Sequence, residues 1–230
     1  MKRLICVLLC AAVMISLCSC GEKAKAPSGA TEDEANYPSP DKENFVESKT
    51  ETGLLYNMTL DKYTAEFNKM YLCLGGRESE FPYKKWKLLK KETQNNGMTY
   101  GYYALDSGNI TLTATVDNES LYIVNLGCGT TADKFNRSKN FQQKVMTVCG
   151  TVAAVAGGYK ADDVKFFGNL FVDTLESADH CFWYKDSIYL YSGEKDISGK
   201  TSMLFRTIPA TSDIEAEWNL VDYKEYWLGN

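Results

Sequence analysis

The sequence contains very little of what metal and redox sites are built from. It has a single histidine, His180, and none of the four cysteines beyond residue 20 stands in a CxxC pair. Transition-metal sites draw mainly on histidine and closely spaced cysteine, and thioredoxin-like chemistry needs the CxxC spacing. We therefore expect no metal site and no cofactor.

Catalytic motifs and clustered positive charge are also scarce. The chain has no HExxH, no GxSxG, no phosphate-binding glycine loop and no dinucleotide-binding fingerprint. Its 25 Lys and Arg are outnumbered by 30 Asp and Glu. Because affinity for nucleic acid comes mainly from lysine and arginine that neutralise phosphates, this balance argues against a nucleic-acid partner.

The most apolar run in the chain lies at its start. Lys2 and Arg3 precede an almost uninterrupted apolar stretch at residues 4–17, and small residues then lead to Cys20. This pattern is that of a secretory signal peptide, which is too short and wrongly flanked for a stable transmembrane span. The ending Leu17-Cys18-Ser19-Cys20 resembles the lipobox of bacterial lipoproteins. The resemblance implies cleavage before Cys20 and a thioether-linked diacylglycerol on its sulfur.

A lipidated Cys20 would place the protein on the extracytoplasmic face of a cell membrane. The outer membrane remains open as the location if the cell has one, because Gly21 is not an inner-membrane retention signal. Loss of residues 1–19 removes Lys2 and Arg3, which leaves 23 basic against 30 acidic side chains and a formal net charge of −7. An anionic membrane surface repels such a chain weakly, so the acyl chains would have to hold it.

Composition divides the remaining chain into a tether and one domain. Residues 20–52 contain three prolines and few large apolar side chains, which is typical of a flexible segment. Residues 53–230 contain 14 of the 15 tyrosines and are long enough for a single α+β domain.

Apolar spacing within that domain predicts helices followed by antiparallel strands, twice over. Thr59 is expected to cap a helix that ends at Gly75-Gly76, and hairpin turns then separate strands at residues 86–93, 98–105, 110–116 and 120–126. After a loop at 127–139, an apolar central helix ends at Gly157-Gly158, and a shorter helix covers 161–175. Strands at 180–185, 188–191 and 201–208 follow, and a closing helix is expected at 212–228.

The predicted fold class is therefore α+β, with an antiparallel sheet in two meanders and helices packed on one face. The repeated order of elements suggests a two-repeat arrangement, although no residues match between the halves.

The cysteines of the domain leave two questions open. Cys73, Cys128, Cys149 and Cys181 allow three disulfide pairings, or none. Gly127-Cys128-Gly129 reads as a thiol in a tight turn, and His180 is the one histidine that could serve it as a base. A Cys128–His180 thiol enzyme or envelope hydrolase is therefore the alternative function.

Aromatic strand residues favour a different function, a non-catalytic binding or interaction module. Alternation predicts Trp183, Tyr189 and Tyr191 on one face of the second meander, and Tyr100 with Tyr102 on one face of the first. If helices cover the other face, these rings would lie on the open one, where they suit a protein, peptide or glycan ligand.

Overall fold

The computed structural model describes residues 40, 44–47, 54–95, 97–175, 181–184, 187–195, 201–209 and 227–228. Within these ranges the chain is α+β, as predicted, with one large sheet and its helices packed on one face. The strands are β1 Phe45–Glu47, β2 Leu54–Thr59, β3 Lys87–Thr93, β4 Thr99–Asp106, β5 Thr111–Asp117, β6 Tyr122–Thr131, β7 Cys181–Tyr184, β8 Ser187–Lys195, β9 Thr201–Pro209 and β10 Trp227–Leu228. The α-helices are α1 Leu60–Cys73, α2 Ala132–Phe135, α3 Lys139–Gly157 and α4 Val164–Leu175.

The sheet joins the two predicted meanders edge to edge. Its main path runs β10-β7-β8-β9-β6-β5-β4-β3, so β9 and β6 form the seam between the halves. Among the described strands, every pairing is antiparallel except that of β10 with β7. Strand β2 pairs with the start of β6, where Tyr56 lies opposite Ile123, and β9 pairs with the rest of β6 from Leu126 onward.

Local signals set the ends of the two long helices as predicted. The Thr59 side chain accepts a hydrogen bond from the Lys62 backbone N–H at the start of α1. Helix α3 ends in a left-handed Gly158 with φ of 80°, a conformation that costs other residues free energy.

Helix α3 is the centre of the core, as predicted. Val148, Val152 and Ala153 are fully buried, and α3 packs against β6, β9, α1 and α4. Helix α3 also approaches α4 closely at Gly150. A Cβ on Gly150 would come within 2.2 Å of the Val164 carbonyl oxygen, so Gly150 permits the close approach of α4 rather than of the sheet.

The folded part begins earlier than the predicted boundary at residue 53. Strand β1 pairs with β2, and Asn44 is buried with 2% of its surface exposed. The Asn44 side-chain amide donates to the carbonyl oxygens of Val155 (3.2 Å) and Ala156 (2.8 Å). These carbonyls belong to the last turn of α3, where the regular i→i−4 donors end. The backbone N–H of Gly158 also donates to Val155, at 3.4 Å. The sequence predicts that residues 44–47 belong to the tether, and they are instead part of the domain.

The C-terminal prediction also needs a correction. Trp227–Leu228 form a short strand beside β7 rather than the end of a closing helix. The rest of that predicted helix, at 212–226, lies outside the described residues.

Candidate functional site

Tyr100 and Tyr102 lie on the sheet face away from the helices. Their neighbours Tyr103 and Leu105 contribute to the core, and alternation therefore turns Tyr100 and Tyr102 to the other side. The Tyr102 ring forms a cation–π contact, because the Lys90 ammonium lies 4.5 Å from its centroid. Lys90 also forms an ion pair of 2.6 Å with Glu92, and this contact raises the pKa of Lys90 and lowers that of Glu92. The exposed edge of the sheet thus supplies a partner to the aromatic ring.

The expected grouping of Trp183 with Tyr189 and Tyr191 is wrong. The register places Trp183 opposite Ile188 and Phe182 opposite Tyr189. Directly paired residues of antiparallel strands share a face of the sheet. Trp183 therefore shares a face with Ile188, and the next residue, Tyr189, belongs to the opposite face. Alternation holds within each strand, but the register between β7 and β8 does not continue the alternation from one strand to the next. Ligand binding by Trp183, Tyr189 and Tyr191 stays a prediction.

Cys128 is in the middle of a strand and not in a tight turn. Strand β6 continues to Thr131, where the sequence predicted a loop, and Cys128 lies between Leu112 of β5 and Phe205 of β9. The two flanking glycines have a packing role. A Cβ on Gly127 would come within 2.6 Å of the Phe205 carbonyl oxygen and 2.8 Å of Thr113 Oγ1. The turn-like sequence is therefore a close-packed strand.

The thiol of Cys128 points into the core. Its side chain is 2% exposed, and its Sγ lies 2.9 Å from the Sγ of Cys149 on α3. Burial raises the pKa of the Cys149 thiol, and its contact with Cys128 raises it further. His180 lies outside the described residues, so its distance from Cys128 stays untested. A thiol enclosed in this way has no path to a substrate.

A polar cleft forms where the end of α1 meets the start of α3. It has a volume of about 470 Å³, and polar side chains from four segments line it: Tyr71, Arg77, Glu80, Asn140, Gln143, Lys144 and Thr147. The turn at Gly75-Gly76 forms part of its wall. The sequence indicated Gly75-Gly76 only as a helix stop, and nothing in it pointed to residues so far apart in the chain.

Aromatic packing fixes the position of Tyr71 in this cleft. Its ring stacks on Phe67, with centroids 5.7 Å apart, and meets Phe81 edge-on at 5.5 Å. It also covers Gly76, where a Cβ would come within 2.2 Å of the ring. The ring is thus held on three sides, and its hydroxyl is left facing the cleft.

Three side chains meet at one carboxylate oxygen. The Tyr71 hydroxyl donates to Glu80 Oε2 at 2.8 Å, and Lys144 Nζ pairs with the same oxygen at 2.7 Å. Partial burial alone would raise the pKa of Glu80. The hydrogen bonds from Lys144 and Tyr71, together with the charges of Lys144 and Arg77, outweigh burial and lower that pKa.

The same contacts keep Tyr71 neutral. Burial raises its pKa most, and the hydrogen bond to Glu80 and the negative charge of Glu80 raise it further. At neutral pH Glu80 is therefore ionised and Tyr71 protonated. A general acid or base works best when its pKa lies near the operating pH, and these two groups are shifted away from it. The cleft presents fixed charges and donors, which suits binding.

A basic strand, β3, forms one edge of the sheet. All residues of β3 are exposed, including Lys87, Lys90 and Lys91, and Leu89 is 65% exposed. Among the described strands β3 pairs with β4 alone, so it is an edge of the sheet. Lysines on an edge strand oppose pairing with other chains, and this accounts for the cluster.

No family model, curated protein or solved structure matches the chain. Within the described ranges, no three or more His, Cys, Asp or Glu side chains are grouped so that they could hold a metal ion. None of the helices in the described part of the chain has the length and apolar character needed to cross a membrane.

Proposed function

We propose that the protein is a membrane-anchored extracytoplasmic lipoprotein whose domain is a non-catalytic binding or interaction module. The anchor is supported by the motif Leu17-Cys18-Ser19-Cys20 after an apolar run with a basic start. The domain would bind a protein, peptide or glycan outside the cell. Residues 20–43 would link this domain to the lipid.

The binding role is carried by the polar cleft. Lys144, Arg77 and Glu80 give it two positive charges and one negative charge, and Asn140 and Gln143 add side-chain amides. Such groups can position hydroxyl, amide or carboxylate groups of a hydrophilic ligand. Glu80 is already ionised, so a ligand that binds it needs no proton transfer and would share the carboxylate with Lys144 and Tyr71.

The contacts of Cys128 count against the alternative, a thiol enzyme or envelope hydrolase that uses Cys128 and His180. A nucleophilic cysteine must be reachable and must form a thiolate. Cys128 is buried and faces a second buried thiol. No described contact favours catalysis at this position.

The anchor is tested by changing Cys20→Ala. The variant should accumulate as an unprocessed precursor and should not be labelled by a palmitate analogue, whereas the unchanged chain should be labelled. Equal labelling of both chains would contradict the lipid anchor.

The binding role is tested with arrays of cell-envelope glycans and short peptides. For any ligand that the purified protein retains, Lys144→Met should weaken binding about fivefold or more, equivalent to about 1 kcal/mol. Lys165→Met is the matched control, since Lys165 is an exposed residue of α4 that does not line the cleft. If Trp183→Ala or Tyr191→Ala weakens binding and Lys144→Met does not, the aromatic strands are the site. Binding that none of these changes affects would contradict both surfaces.

A further inference from the structure

Two buried thiols face each other across the interface between the sheet and the central helix. The Sγ atoms of Cys128 on β6 and Cys149 on α3 lie 2.9 Å apart, and the two side chains are 2% and 1% exposed. Bonded sulfur atoms in a disulfide lie about 2.05 Å apart, so an approach of about 0.9 Å would join them. A side-chain adjustment is enough for a movement of this size.

We propose that Cys128 and Cys149 form a structural disulfide in the exported protein. The bond would tie the central strand of the sheet to the central helix of the core. The proposal rests on the proposed function in one respect, since export supplies the oxidising surroundings in which disulfides persist.

The positions of the other cysteines favour this pairing over the alternatives. Cys73 is exposed at the end of α1. Cys181 begins β7, and β8 and β9 separate that strand from β6. Three strand spacings amount to about 14 Å, whereas bridged cysteines have Cα atoms about 4.4–6.8 Å apart. The backbone therefore excludes a bond between Cys128 and Cys181 in the folded domain.

The bond would form by thiol–disulfide exchange with a donor disulfide, such as an extracytoplasmic thiol oxidoreductase or a low-molecular-weight disulfide. One cysteine thiolate attacks a donor sulfur, which breaks the donor S–S bond and leaves a mixed disulfide. The second cysteine thiolate then displaces the remaining donor thiolate. The two electrons and the two protons end on the released donor thiols.

The burial of the two thiols determines at which stage of folding this exchange can occur. The attacking species is a thiolate, and the apolar surroundings of Cys149 oppose its formation in the folded protein. Oxidation is therefore expected while the core is still open. Once the core has packed, the same burial would protect the bond from reductants.

Peptide mapping gives a direct test. The mature protein is taken from membranes, denatured, blocked with N-ethylmaleimide and digested with trypsin without reductant. Trypsin separates the two cysteines, because Cys128 falls in the fragment 92–134 and Cys149 in 145–160, each with no other cysteine. We expect these fragments as one linked species, lighter than their sum by two hydrogen atoms. A link from either cysteine to another cysteine would overturn the proposal, and so would maleimide on both cysteines if the link also fails to form in the redox buffer described below.

Thermal unfolding gives an independent readout. The purified protein that has been unfolded and refolded in reductant should melt about 6–12 °C lower than the oxidised protein. The double variant Cys128→Ala/Cys149→Ala should show the same Tm with and without reductant. Cys73→Ala is the control and should keep the reductant effect. An equal effect of reductant on the double variant would contradict the bond.

A third measurement separates this proposal from the proposed location. The reduced protein is refolded in a glutathione redox buffer, where oxidised glutathione is the donor. The 128–149 link should form there even if the protein proves not to be exported. Failure to form it in this buffer would overturn the pairing itself, whereas free thiols only in cells would contradict the location.

Discussion

At the scale of single residues, two buried tyrosine hydroxyls differ in whether they have a hydrogen-bond partner, and this difference should affect the stability of the protein. The Tyr56 hydroxyl lies 2.7 Å from Thr207 Oγ1 and shares a hydrogen bond with it. The Tyr63 hydroxyl is equally buried, and among the described residues it has no hydrogen-bond partner. A buried polar group without a partner costs free energy, whereas a paired one returns part of that cost.

We therefore expect opposite results from the same substitution at the two positions. Tyr63→Phe should raise the free energy of unfolding by about 1 kcal/mol, because it removes a desolvated hydroxyl and no hydrogen bond. Tyr56→Phe should lower it by about 1–2 kcal/mol, because Thr207 loses its partner. Urea unfolding of both variants measures the difference. A loss of stability in Tyr63→Phe would show that its hydroxyl does have a partner.

At the scale of elements, β1 and Asn44 should make a segment before residue 54 necessary for full stability. A chain that begins at Glu51 loses the β1–β2 pairing and the two hydrogen bonds from Asn44 to the end of α3. The Ala156 carbonyl would lose the Asn44 donor, and an unsatisfied buried carbonyl costs about 1–3 kcal/mol. We expect this chain to melt clearly below one that begins at Asp41, which keeps both features. Equal melting temperatures would mean that these contacts add nothing to stability.

Helix α3 offers a second test at this scale. Val152 is completely buried, so Val152→Asp would place an unpaired carboxylate in the core. The cost is comparable with the whole stability of a domain, and the variant should be insoluble or unfolded by circular dichroism. Gln143→Asp is the control on the same helix, since Gln143 is exposed, and it should fold normally. A folded Val152→Asp protein would contradict the assignment of α3 to the core.

For the molecule as a whole, buried tyrosines predict how stability depends on alkaline pH. Burial raises the pKa of Tyr56 and of Tyr63 above their ordinary value of 10.0. Above pH 10 the unfolded chain therefore loses protons that the native protein keeps, and unfolding becomes more favourable. Stability is complete below pH 10 and is lost as pH rises, by about 1.4 kcal/mol per pH unit for each tyrosine.

Urea unfolding at several pH values between 9 and 12 would measure this slope, and tyrosinate absorbance would follow the deprotonation. Tyr63→Phe should reduce the slope by about 1.4 kcal/mol per pH unit. A slope that is the same in this variant would show that Tyr63 titrates normally in the native state.

The sequence predicted those features that depend on neighbouring residues. Thr59 and Gly158 act within one helical turn, so the ends of α1 and α3 follow from local pattern. Four strands of the first meander follow from hairpin turns, but the end of β6 did not, because Gly127-Cys128-Gly129 looks like a turn. Gly127 is needed there because Thr113 and Phe205, on neighbouring strands, leave no room for a Cβ.

Features that join distant segments could not be predicted in the same way. Which residues of β7 and β8 share a face depends on the register between the two strands and not on the alternation within either strand. In the sequence, Asn44 is not distinguished from the other polar residues around it. Its role follows only from its hydrogen bonds to the end of α3. The polar cleft likewise needs Tyr71, Glu80 and Lys144 in one place, and no local pattern links them.

The pairing of β6 with β9 joins segments that are far apart in the sequence, and this should affect how fast the chain folds. Tyr56 reaches Thr207 across 151 residues of chain, and β6 gains its full set of neighbours only when β9 is present. Contacts this far apart in sequence make folding slow, since a long loop must close before they form. The first half, once synthesised, therefore lacks the strand that completes its sheet. Slow completion of this kind would keep the chain unfolded during the export that we propose.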